Sequence, residues 1–269
     1  MIIPIFISGP FTCIMKSLKP LLIAVLCFVT CNLSAQSSRQ IKKDLLQSFR
    51  EIDCWSAQKS TDSTGAIYDS LDRANNIFSK KLKFYAEKYP FTIAEKFPFE
   101  GLSCISTDGL LKIYSWDTQT GGTQHTFESV IQYKIGEKTI AMIDTSRGGY
   151  NYDKLYMLTV GSKTYYLATY YGILSLYTRS EGIRIFTIEN GKLNDKVKII
   201  KTKSGLTNKL NYTYDQHLTN SDIMSEITLE YDPKAKTITF PIVAENNWIT
   251  DNSITYKFTG QYFERIKSE

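Results

Sequence analysis

The sequence predicts a mainly β protein of the α+β class, an N-terminal helical hairpin followed by an antiparallel β-meander, propeller-like or sandwich-like. Two observations carry that expectation. Between residues 37 and 89 apolar side chains recur at three- and four-residue spacing, the period of a helix face. After Gly101 the period falls to two, tight turn signals separate the runs, and no helix-length periodic segment intervenes.

Residues 1–35 come first and read as a secretory signal peptide. They hold no Asp or Glu and two basic residues, Lys16 and Lys19, ahead of the apolar run Leu21–Thr30. Small residues then lead to Leu33-Ser34-Ala35-Gln36. A charged start, a short apolar middle and a small residue at the cut are the three parts of an export leader. The run is short for a membrane span, so no span is expected after its removal. Met15 reads as the true start. Cys13, Cys27 and Cys31 lack the small preceding residue that a lipidated cysteine would have. The expected location is outside the inner membrane, periplasmic or extracellular.

Residues 36–100 are expected to form the hairpin. In its first helix Ile41, Leu45, Phe49 and Ile52 share one face; in the second Ile67, Leu71, Ala74, Phe78, Leu82 and Tyr85 do so. The linker Ser60-Thr61-Asp62-Ser63-Thr64-Gly65 is turn-rich and offers caps. Pro90 ends the second helix, because proline disfavours helix in the residue before it.

Residues 101–269 are expected to form the β-domain. Ile131–Ile135, Ile227–Tyr231 and Ile254–Phe258 alternate apolar and polar residues. Further runs lie at 110–116, 138–143, 154–160, 163–170, 183–188, 196–202, 208–214, 237–243 and 261–266, rich in Ile, Tyr, Phe, Thr and Val. Turns are marked at Gly136, at Gly161-Ser162, at Asn190-Gly191 and at Thr259-Gly260. Three hairpins resemble one another, Ile131–Lys138, Ile183–Lys192 and Ile254–Gln261. Repeated four-strand units would make propeller blades, and a curved sandwich accounts for the same repetition. Both stay open. Tyr165-Tyr166 and Tyr170-Tyr171 are adjacent pairs, so in a strand one of each faces the core and one the surface.

Charge and chemistry exclude more than they assign. The chain carries 32 basic and 27 acidic residues, and loss of the two leader lysines leaves a small positive balance, too weak to imply nucleic acid. There is no His-Glu-x-x-His, no Cys-x-x-Cys, no Gly-x-Ser-x-Gly and no phosphate-cradling glycine loop. With two histidines, His125 and His217, no metal centre and no cofactor is expected. Cys54 and Cys104 remain after the leader; in an oxidising compartment they are either a disulfide or two buried free thiols.

One pattern rises above this background. Asp117-Thr118-Gln119-Thr120-Gly121-Gly122 and Asp144-Thr145-Ser146-Arg147-Gly148-Gly149 share the form Asp-Thr-x-x-Gly-Gly. Two strands and one opposite-end turn separate them, so both loops should emerge at the same end of a sheet, roughly 10 Å apart. Trp116, Asp117, Thr118, Asp144, Thr145, Arg147 and Tyr150 are therefore the candidate ligand-binding residues, the aromatics to stack on a ligand and the carboxylates to bind its hydroxyls. No catalytic residue is assigned. The expected function is an exported, non-catalytic binding module for a glycan or a protein. The alternatives are a secreted hydrolase using Asp117 and Asp144 as paired carboxylates, and a structural or inhibitory envelope protein.

Overall fold

The computed structural model describes residues 38–61, 65–89, 102–144, 149–217 and 229–266. The leader read over residues 1–35, its start at Met15, and Thr145 and Arg147 of the second loop lie outside the described residues. The chain from Lys42 onward is one compact unit; of the unit before it only Ser38–Ile41, the first turn of α1, is described.

The predicted hairpin is present as α1 (Ser38–Ser56) and α2 (Ala66–Lys88), joined through a short 3-10 turn at Lys59–Thr61. Phe49 meets Phe78 edge-on at 5.3 Å. Lys81 pairs with Asp44 at 2.8 Å, and the Tyr85 hydroxyl donates to the same carboxylate at 2.7 Å. Leu71, Phe78 and Leu82 are buried, so the 3.6-residue stripe of α2 is consumed by packing.

Three sheets follow in chain order. The first runs β1 (Ser103–Ile105), β2 (Leu111–Asp117), β3 (Phe127–Ile135), β4 (Lys138–Asp144), neighbour to neighbour and antiparallel. The second is ordered β11 (Lys209–Asp215), β7 (Thr178–Glu189), β6 (Lys163–Ile173), β5 (Asn151–Val160), with β8 (Lys192–Asn194) also pairing β7. The third is ordered β10 (Gly205–Thr207), β9 (Ile200–Thr202), β15 (Phe263–Ile266), β14 (Ile249–Phe258), β13 (Thr237–Val243), β12 (Glu230–Asp232). The four turns read from the sequence each fall between consecutive strands. Asn190 and Gly191 both have positive φ, 51° and 70°, as a two-residue hairpin turn requires.

Two departures from a plain meander stand out. β9 pairs β15 in parallel, Phe263 opposite Ile200. The chain visits the third sheet with β9 and β10 and returns to the second with β11 before completing the third. The result is three sheets, each packed on the next. Leu111, Ile113 and Ile131 of the first sheet share a core with Tyr152, Tyr166 and Phe186 of the second. Leu167, Ile183 and Ile185 of the second share another core with Ile238, Tyr256 and Phe263 of the third. The hairpin covers the remaining face of the first sheet: Trp116 meets Phe78 edge-on at 5.0 Å, and the Gln132 amide donates to the carbonyl of Ala86 at 2.8 Å.

Candidate functional site

The two repeated loops leave the first sheet at one end, as their spacing predicts. Asp117 is opposite Phe127, and Asp144 is opposite Ser129 on the other side of β3. Their side chains nevertheless do not form an open acidic rim. Asp117 accepts the Gln119 amide N–H at 2.8 Å and pairs through its other oxygen with His125 Nδ1. Asp144 accepts from Arg184 at 2.9 Å and from the Tyr152 hydroxyl at 3.2 Å. Asp195 takes the other arm of the same guanidinium at 2.7 Å. Burial disfavours the charge on Arg184, but Tyr152, Asp144 and Asp195 more than offset that and hold its pKa above the ordinary value. Burial likewise drives the Tyr152 hydroxyl well above the usual phenol range.

Trp116 is not a rim residue. It is 1 % exposed and faces the helical hairpin, where its indole N–H donates to Asn75 Oδ1 at 3.0 Å. The register puts Trp116 on the same face as Tyr114, and Leu111 and Ile113 on the other; both faces of β2 are buried. Thr118 is buried too: its hydroxyl donates to the Thr126 carbonyl at 2.9 Å, and its own carbonyl accepts from Asn75 at 2.8 Å. The first loop is further held by Lys59, whose ammonium donates to the carbonyls of Gln119 and Gly121 at 2.8 and 2.7 Å. That loop is a fastening between sheet and hairpin. Cys54 and Cys104 are free thiols: Cys54 lies exposed on α1, while Cys104 faces the core between the first and second sheets.

Beside these loops lies a cleft of about 320 Å³. The first loop contributes Gln124 and His125, and the end of the second contributes Gly149 and Tyr150. Its floor is one end of the face of the second sheet that packs on the first, beyond the part that the first sheet covers. The register explains the floor: Gly172 is opposite Ser180, which is opposite Thr213, and Tyr170 is opposite Gly182, which is opposite Asn211. Lys209, two residues before Asn211, continues the same row. Tyr150 packs on Tyr170 with ring centroids 4.0 Å apart. Burial, then the neighbouring Tyr150, raises the Tyr170 pKa, so its hydroxyl stays protonated as a donor.

Two glycines make this geometry. A Cβ on Gly182 would sit 2.4 Å from the ring of Tyr170, so only glycine lets that ring lie across β7. A Cβ on Gly149, at φ +63°, would sit 1.6 Å from the carbonyl oxygen of Phe127. His125 is fastened to the second sheet by its N–H, which donates to the Ile173 carbonyl at 2.9 Å.

Of the predicted residues, Tyr150 lines the cleft, and Asp117 acts on it by holding His125. Asp144 acts through Arg184, which lies opposite Lys209. Tyr170 was legible only as one of an adjacent tyrosine pair, and Ser180, Lys209, Asn211 and Thr213 were not legible as site residues: in sequence they are the polar half of ordinary alternating strands. Among the described residues no group of three His, Cys, Asp or Glu side chains could hold a metal ion, and no helix is long and apolar enough to cross a membrane. Comparison with models of known protein families, with curated proteins and with solved structures finds no match to this chain.

Proposed function

We propose that this protein is an exported, non-catalytic binding module that holds a glycan in the cleft beside Tyr150 and Tyr170. One observation carries the reading: Tyr150, backed by the buried ring of Tyr170, shares a single cleft with a strand face of amide and hydroxyl side chains, Asn211, Thr213 and Ser180. Aromatic faces suit the apolar face of a pyranose, and amides and hydroxyls donate to and accept from its ring of hydroxyls. Few, placed polar groups among aromatic walls are the usual make-up of a small-ligand site. Export rests on the leader pattern of residues 1–35. The non-catalytic reading is favoured over paired-carboxylate hydrolysis because Asp117 and Asp144 are engaged by His125 and Arg184, and no carboxylate among the described residues lines the cleft.

Affinity electrophoresis through gels cast with single polysaccharides tests this. At least one polymer should retard the protein, and Tyr150→Ala or Asn211→Ala should each weaken retention about tenfold, roughly 1.4 kcal/mol, with an unchanged far-UV spectrum. Retardation by none of a broad panel would defeat the binding reading. Release of reducing ends from the retained polymer would defeat its non-catalytic half.

A further inference from the structure

We infer that the glycan is acidic, with a uronate carboxylate received by Lys209 in this cleft. The inference rests on the binding reading above and adds the charge of the ligand. In the register of β11 on β7, Lys209 stands directly opposite Arg184. Like charges directly opposite one another weaken a strand pair. Arg184 is matched by two carboxylates, Asp144 at 2.9 Å and Asp195 at 2.7 Å. Lys209 has no ion pair among the described residues, and its ammonium reaches the Tyr150 hydroxyl at 3.5 Å. The carboxylates of the neighbourhood are therefore spent on the buried cation, and the exposed one is presented to whatever fills the cleft.

The position of that ammonium narrows the ligand. It stands at the hydroxyl edge of a tyrosine that packs on a second tyrosine, 4.0 Å between centroids. A uronic acid has the complementary shape, a pyranose face to lie on an aromatic ring and a carboxylate on the edge of that face. Lysine suits a single carboxylate at a ring edge, since it acts as a compact charge with three donors. Asn211, next but one along the strand and on the same face, is placed to bond the hydroxyls of the same sugar ring.

The test is calorimetric titration of the full protein with trimers of galacturonate and of mannuronate, their methyl esters, and hexaglutamate. The expected result is binding of at least one acid trimer, at least tenfold weaker binding of its ester, and weakening with added salt. Lys209→Met should lose that preference while Lys209→Arg keeps most of it, neither melting below the wild type. Equal affinity for acid and ester, or a Lys209→Met protein that still prefers the acid, would overturn the inference while leaving the binding module standing. Binding of neutral polymers but no acid trimer would do the same. Hexaglutamate bound as tightly as the trimers would also overturn it, by detaching the charge from the sugar. Failure of every polysaccharide in the gel panel would remove the binding reading itself.

Discussion

Asn75 shows how a single side chain decides where the site is not. It is 2 % exposed, and its amide donates to Leu71 and Thr118 carbonyls at 2.9 and 2.8 Å while accepting the Trp116 indole N–H at 3.0 Å. Asn75→Ala orphans a buried donor and a buried acceptor, so unfolding should become easier by on the order of 2 kcal/mol or more, read from the urea midpoint. An unchanged midpoint would mean that Trp116 does not face the hairpin. The two thiols give a second residue-scale prediction. Cys54 is exposed and Cys104 is buried with its pKa pushed up to about 12 by burial first and by Asp153 next. In protein lacking residues 1–35, Cys54 should therefore label rapidly in the folded state and Cys104 only on unfolding. The sequence located the end of the sheet where the loops emerge but misplaced Trp116. An alternating strand reveals which face is buried only when the other is wet, and both faces of β2 are covered.

Among the elements, the segment between β4 and β5 links the first sheet to the second, and Gly149, just before β5, lies against the backbone of Phe127 in β3. Gly149→Ala sets a Cβ into the Phe127 carbonyl and forces a side chain into positive φ. The expected cost is on the order of 2 kcal/mol or more, with ligand retention lost, whereas Gly122→Ala, whose added Cβ meets nothing within 4 Å, should melt like the wild type. Equal melting of both variants would contradict this packing. β5 also holds a feature that no turn residue announces. Its register on β6 shifts between Tyr152 and Lys154, so Tyr152 and Leu155 face the same core although they are three apart. Strict alternation over this stretch assigns one of them to the wrong face. The helices, the turns and most strands were legible because each needs only local pattern. The parallel pairing of β9 with β15 and the return of β11 to the second sheet were not, because they are settled by which apolar face finds cover.

At the scale of the molecule, the stack of sheets buries tyrosines in both cores, and this sets its response to alkali. Burial, followed by nearby carboxylates, raises Tyr166, Tyr212 and Tyr214, and burial with Asp232 takes Tyr231 to about 12. Cys104 rises likewise from 9.0 to about 12. Each group keeps its proton longer folded than unfolded. Its contribution is thus complete below the unfolded value and is lost as pH climbs through the folded one. The urea midpoint should hold to about pH 9 and then fall steeply to pH 12, with the 295 nm tyrosinate signal rising with unfolding. A tyrosinate signal that rises fully before unfolding would contradict the layered core. On the export proposal, N-terminal sequencing of protein recovered outside the inner membrane should begin at Gln36; a retained leader or an acylated Cys31 would count against it.

The cleft draws together residues separated by almost ninety positions of chain, and its occupation by a glycan is the claim on which the functional account depends. Amide chemical-shift mapping, with an oligosaccharide of the polymer that best retards the protein, addresses it directly. Shifts should concentrate at Gln124–His125, Tyr150, Tyr170, Ser180 and Lys209–Thr213, with Trp116 and Asp144 moving little. Shifts centred on the helical hairpin or on the outer face of the third sheet would contradict it.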